Sequence, residues 1–281
     1  MVPETLSEFT HRRLNALGIR PKKGLGQNFL IDQKIIDKIV VAAELKETDT
    51  VVEVGPGIGA LTRSLVQAGA KIKAFEIDEA LADSLAEALG DPDNLEVIKK
   101  NILECDIAGY LSDEPYKVVA NLPYYITSPI IRLFLENEKK PSEMVIMVQH
   151  EVAQTIMAKP GDMSLLALGV QMYGNVSLVT KVSHGCFYPA PKVDSAVIRI
   201  VPYEKEFISH EDSSKFFTLA RAGFSMARKQ ILNPLSHSLD MPKEELRPLL
   251  EAAGIDPTRR AETLSIDEWL ELFSHFKGVL K

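Results

Sequence analysis

Two cysteines in 281 residues, no long apolar run and no excess of positive charge are the first constraints. Cys105 and Cys186 lie too far apart for a zinc knuckle and are too few for a disulfide framework, so a reducing compartment is expected and a metal site is not. No stretch approaches the roughly 20 uninterrupted apolar residues of a membrane span, and residues 1–20 hold no apolar block of the signal-peptide type. A cytoplasmic protein without a membrane partner is expected. With 32 Lys and Arg against 39 Asp and Glu, the net charge of −7 argues against nucleic-acid binding over the whole surface. No internal repeat or low-complexity tract occurs.

What is present is an ordinary globular composition, 46% hydrophobic and 25% charged. The chain is long enough to bury a core unaided, and at roughly 150 residues per domain it suggests one large domain and a smaller one. The positive charge is clustered: Arg12, Arg13, Arg20, Lys22 and Lys23 stand in a stretch with no acid, and Arg221, Arg228 and Lys229 form a second group. Either cluster alone reads equally well as a solvated face or as a phosphate-binding patch.

From residue 50 to about 150, short β-branched runs alternate with helical-period segments, the pattern of an α/β domain with a parallel sheet. Strands are predicted at Thr50–Val54, Lys71–Ile77, Leu95–Ile98, Lys117–Asn121 and Met144–Val148, and helices at Gly59–Ala68, Glu79–Leu89 and Ser128–Glu136. Val176–Val182 and Ser195–Val201 read as an antiparallel pair completing about seven strands. Upstream, Asp32 can cap a docking helix bearing Ile35, Ile36 and Ile39, preceded by the basic, glycine-containing arm Lys22–Leu30, expected to be mobile. After Tyr203 the apolar residues recur at helical spacing, as in Ile266, Trp269, Leu270 and Phe273. The expected divisions are 1–49 for arm and docking helix, 50–205 for the α/β core, and 206–281 for a small all-helical domain.

Gly55-Pro56-Gly57-Ile58-Gly59 follows the first long strand, where glycines permit a tight turn and let a ligand lie against the backbone. Glu76, 21 residues after Gly55, ends the next strand and can accept hydrogen bonds from both hydroxyls of an adenosine ribose. The turn satisfies both the dinucleotide pattern and that of methyl-donor sites, and a purely structural turn remains a third reading. Glu53 favours the methyl donor, because an acid or its hydrogen-bond network suits an ammonium group and would repel a pyrophosphate.

Asn121-Leu122-Pro123-Tyr124 ends a buried run at the fourth predicted strand. An exocyclic amine on adenine is a poor nucleophile, since its lone pair is delocalised into the ring. The Asn121 side-chain oxygen and the Leu122 carbonyl, stiffened by Pro123, could accept both of its N–H groups and aim the lone pair at a sulfonium methyl. Tyr124 would stack on the extracted base. The bland alternative is a strand-ending turn with a buried tyrosine. A covalent role for Cys186 is not expected, since no pattern of histidine and acid accompanies it beyond nearby His184.

Four ordered motifs, Gly26-Gln27-Asn28-Phe29-Leu30, Glu53 to Gly59, Asn121 to Tyr124, and Phe187-Tyr188-Pro189-Ala190-Pro191-Lys192-Val193-Asp194-Ser195, make the chain resemble the ribosomal RNA adenine dimethyltransferase family of the bacterial small-subunit type. The likeness extends to Arg260-Ala261-Glu262-Thr263-Leu264-Ser265 in the tail. It implies a Rossmann-like class I methyltransferase fold using S-adenosylmethionine. Asn28 and Leu30 would close over that donor, Gly55, Gly57 and Gly59 would hold its methionine part, and Glu76 its ribose. Asn101 departs from the Asp usual at its position, so its bond to the donor's adenine amine should be weaker. Phe187 is expected to stack on the target adenine opposite Tyr124. The implied substrate is two adjacent adenosines in the 3′-terminal hairpin loop of 16S ribosomal RNA in the 30S subunit, each methylated twice at N6 by a monomer. Arg12, Arg13, Arg20, Lys22, Lys23, Lys192, Arg221, Arg228 and Lys229 would then grip phosphates, the last three from an RNA-binding helical domain.

Three rivals follow. The sister group that methylates large-subunit ribosomal RNA usually has Ile where Leu122 stands. An assembly factor with incidental methyl transfer is compatible with the first reading. A nicotinamide-dependent oxidoreductase would show an absorbance change and no methyl transfer.

Overall fold

Residues 4–111 and 114–280 are described by a computed structural model of the chain. The first helix, α1 (Leu6–Ala16), starts in a capping box: the Thr5 hydroxyl accepts from the Glu8 N–H and the Glu8 carboxylate accepts from the Thr5 N–H. It buries Leu6, Phe9 and Leu14 in the α/β core. The basic stretch thus begins inside a packed amphipathic helix, while the arm Lys22–Leu30 that follows it holds a single 3-10 turn at Lys23–Leu25 before the short strand β1 (Phe29–Leu30). Helix α2 (Gln33–Ala42) is capped by Asp32 as expected, with Ile35, Ile36 and Ile39 buried.

The main sheet is laid down by β2 (Thr50–Val54), β3 (Lys71–Phe75), β4 (Leu95–Ile98), β5 (Tyr116–Asn121) and β6 (Glu143–Gln149), with α3 (Ala60–Gln67), α4 (Glu79–Ala88) and α5 (Thr127–Leu135) between them. Helices α6 (His150–Ile156) and α7 (Leu165–Gln171) precede β7 (Gly174–Val182), β8 (Phe187–Tyr188) and β9 (Ser195–Pro202). The seven strands run in the order β4-β3-β2-β5-β6-β9-β7, and β1 pairs separately with β8. Neighbours from β4 to β6 are parallel, and β9 is antiparallel to β6. The two late strands are both present, with β9 inserted between β6 and β7. All five residues of β2 are buried, as expected of a central parallel strand.

β2 has β3 on one side and β5 on the other, so the chain order reverses there. In open α/β sheets such a reversal leaves a crevice at the carboxyl ends of the two strands. The glycine turn leaves β2 at that point, and Asn121 ends β5.

The chain divides into two compact units: residues up to Ala153 with Val176–Pro202, and Gln154–Asn175 with the segment from Tyr203 onward. The second therefore includes Gln154–Asn175, which the sequence division assigns to 50–205. Its further helices are α8 (His210–Phe224), α9 (Leu232–Leu239), α10 (Lys243–Ala252) and α11 (Ile266–Phe276). Trp269 is fully buried and stacks on Phe224 at 5.3 Å between ring centroids. Leu168 and Met172, in and just after α7, join the same core.

Candidate active site

A cavity of about 290 Å³ lies at the ends of four adjacent strands. Across the sheet, Asn101 follows β4, Glu76 follows β3, Gly55 and Gly57 follow β2, and Asn121 closes β5; all line the cavity, as does Asn28. Three strand spacings of about 4.8 Å put the outer two strands roughly 14 Å apart, room for an elongated ligand laid across the strand ends.

The glycine turn is required by its backbone. Gly57 has φ +59°, and a Cβ there would stand 3.0 Å from the Phe29 ring. Its N–H donates to Glu76 Oε2 at 2.9 Å, while Glu76 Oε1 accepts from the Asp78 N–H at 2.9 Å. Strand β3 ends at Phe75 rather than at Ile77 as expected, although the Glu76 N–H still donates to the Ile98 carbonyl at 3.0 Å. Burial raises the Glu76 pKa, the backbone N–H donors pull it back in part, and Asp78 adds repulsion. Glu53 is 1% exposed inside β2 and does not line the cavity. Burial pushes its pKa up to about 8 and Glu76 adds to the rise; the Thr62 hydroxyl opposes it without closing a well-formed hydrogen bond. The carboxyl expected to face a ligand's ammonium is therefore held toward its protonated form, with Oε2 unpartnered.

At the end of β5, the Asn121 Nδ2 donates to the Asn28 carbonyl at 3.4 Å, which leaves Oδ1 as the side chain's acceptor. The Leu122 N–H donates to the Met147 carbonyl at 3.1 Å, anchoring the corner to β6. Leu122, Pro123 and Tyr124 all line the cavity. The Tyr124 hydroxyl lies 2.7 Å from Ser195 Oγ, and burial raises its pKa.

The structure does not bring every expected residue to the cavity. Phe187 is 3% exposed and packed in the core, opposite Leu30 in the β1–β8 pair. Strand alternation turns Phe187 inward and Tyr188 outward. Besides Tyr124, the cavity wall carries Phe29, Phe75 and Tyr125; Tyr125 is 57% exposed and was given no role from the sequence although it follows Tyr124 directly. Leu30, buried in the β1–β8 pair, and Gly59, which caps α3, do not line the cavity either.

Also unforeseen is the tie between the segment before β1 and the end of β3. The Lys22 ammonium and the Gln27 amide both donate to Asp78 Oδ2, at 2.8 and 3.2 Å. Burial alone would raise the Asp78 pKa, but these two partners outweigh it and hold it below the usual carboxylate value. Nothing local in the sequence signals a contact across 56 residues.

Of the basic residues, Arg20, Lys192, Arg221, Arg228 and Lys229 are exposed. Arg13 is buried and donates to Ser84 Oγ at 3.1 Å, since α1 packs on that side, and so is not presented to a phosphate. Arg12 pairs with Glu4 at 2.7 Å and Lys22 with Asp78. The Lys23 side chain lies outside the described residues.

Strand order, reversal point, glycine turn and the Asn-Leu-Pro-Tyr corner define a class I methyltransferase, an enzyme class whose methyl donor is S-adenosylmethionine. The chain belongs to the ribosomal RNA adenine dimethylase family, whose model matches residues 18–277. It is 50% identical over 261 residues to the ribosomal RNA small subunit methyltransferase A of Dehalococcoides mccartyi (strain CBDB1), covering 92% of this chain and 90% of that protein. Among solved structures, a dimethyladenosine transferase from Plasmodium falciparum superposes with a TM-score of 0.76 at 27% identity, over 89% of this chain and 98% of that one. The 23S rRNA methyltransferase ErmE gives 0.69 at 29% identity, over 89% and 100%.

Proposed function

We propose that the protein dimethylates N6 of two adjacent adenosines in the 3′-terminal hairpin loop of 16S ribosomal RNA, with S-adenosylmethionine as methyl donor, acting as a cytoplasmic monomer on the small ribosomal subunit. The observation that carries the reading is the row of Asn101, Glu76, the Gly55–Gly57 turn and Asn121 across four neighbouring strand ends at one cavity.

The residues present fit the donor. The turn at Gly57 is a cradle that a Cβ would fill. Glu76 would take the ribose hydroxyls, Asn101 the adenine amine, and Asn28 would close the cavity from the side of β1. When bound, S-adenosylmethionine supplies an electrophilic methyl on a sulfonium.

The chain's own part is to make an unreactive amine attack. Asn121 Oδ1 and the Leu122 carbonyl accept its two N–H groups, which draws the nitrogen toward tetrahedral geometry and frees its lone pair. Pro123 limits the corner's freedom, and Tyr124 offers a ring face to the base, its hydroxyl held by Ser195. Proton loss from the methylated amine to water requires no strong base. A hairpin loop suits this chemistry because its bases are already partly unstacked.

The likeness to a protein named for the small subunit favours 16S over 23S ribosomal RNA. The test is to incubate the protein with labelled donor and unmethylated small subunits and to map the label by primer-extension stops. Stops at two adjacent adenosines near the 3′ end are expected; label only in large-subunit RNA would overturn the reading. Asn121→Ala should cut transfer about 100-fold or more, as loss of one preorganised polar group does, with subunit binding nearly intact. Equal loss of binding would refute this division of roles.

A further inference from the structure

Asn101 reaches the cavity from the turn after β4, and its side-chain amide is engaged at both ends by that turn. Oδ1 accepts the Leu103 N–H at 3.2 Å, and Nδ2 donates to the Glu104 carboxylate at 2.7 Å. An asparagine can present either an acceptor or a donor, depending on which way its amide is turned. Here the backbone N–H takes only the oxygen and the carboxylate takes only the nitrogen. The orientation is therefore set, and Oδ1 keeps its second lone pair. A charge-assisted bond to the amide N–H also polarises it, making the oxygen a stronger acceptor.

We propose that Glu104 is a positioning residue for adenine recognition: acting through Asn101, it makes this wall of the cavity an acceptor for a purine 6-amino group. It thereby restores part of the negative character that a carboxylate at position 101 would supply. The inference rests on the donor reading above and extends it to a residue that does not line the cavity. It carries a sign that a bond serving only the fold would not. With Asp at position 101, the Glu104 carboxylate becomes a repelling neighbour, so the two substitutions must be non-additive.

The test is calorimetric titration of S-adenosylhomocysteine and of S-inosylhomocysteine, whose purine carries an oxygen in place of the amine. Glu104→Ala should weaken the adenosyl ligand about threefold to tenfold, the range for a partly exposed charged hydrogen bond, and leave the inosyl ligand unaffected. Glu104→Gln, whose amide oxygen can still accept from Asn101, should recover most of the loss. Asn101→Asp should tighten adenosyl binding in the Glu104→Ala background and not in its presence. Equal losses for both ligands, or additive substitutions, would overturn the inference. If the unaltered protein binds adenosyl ligand tightly and Glu104→Ala binds it equally well, only the inference falls; if the unaltered protein binds neither ligand, the donor reading falls with it.

Discussion

Glu53 and Glu76 end neighbouring strands, are both buried, and meet that burial differently. Glu76 receives backbone N–H donors from Gly57 and Asp78, whereas one oxygen of Glu53 is left without a partner. An acid whose pKa is raised by folding holds its proton more tightly in the folded state. Its stabilising contribution is complete below the ordinary value of 4.5 and is lost as pH rises toward about 8. Thermal melts between pH 5 and 8 should therefore show falling stability, with Glu76 contributing in the same direction. Glu53→Gln, a permanent neutral isostere, should flatten the curve and at pH 8 exceed the unaltered protein by a few kcal/mol, to order of magnitude; parallel curves would refute a neutral Glu53. That Gly55, Gly57, Glu76 and Asn121 fall at strand ends was legible because turn and strand signals lie in adjacent residues. The protonation of Glu53 and the burial of Phe187 were not, since each depends on what packs around the side chain.

At the scale of elements, two helices begin with the same device. Thr5 with Glu8 opens α1, and Ser265 with Glu268 opens α11, each pair exchanging side-chain and backbone hydrogen bonds. Thr5→Ala should cost about 1 kcal/mol in urea unfolding and reduce hydrogen-exchange protection across residues 6–16; a loose arm would be indifferent to it. The box was in the sequence all along, four residues ahead of Phe9. The basic run from Arg12 to Lys23, which read equally well as a solvated face or a phosphate-binding patch, drew attention away from it. Strands were the most legible elements, because a parallel strand buried on both faces needs an unbroken apolar run. Several of their ends shifted by one or two residues, as at β3, which stops at Phe75.

For the whole molecule, a net charge of −7 coexists with exposed cations at Arg20, Lys192, Arg221, Arg228 and Lys229. If Arg221, Arg228 and Lys229 grip phosphates, replacing all three with Ala should lower the slope of log affinity for small-subunit RNA against log salt by about 2 to 3. Titration of S-adenosylhomocysteine should be unchanged; an unaltered salt slope would remove these residues from the RNA interface. The α/β class, the seven strands, the helical tail, the glycine turn and the Asn-Leu-Pro-Tyr corner could all be read from the sequence alone, because periodicity and turn chemistry are properties of neighbouring residues. Packing in three dimensions was needed to show that Lys22 binds Asp78, that Arg13 turns inward to Ser84, that Tyr124 hangs on Ser195 and that Gln154–Asn175 joins the helical unit. Those partners lie far apart along the chain, and no local preference encodes which of many polar groups a folded surface will bring within 3 Å.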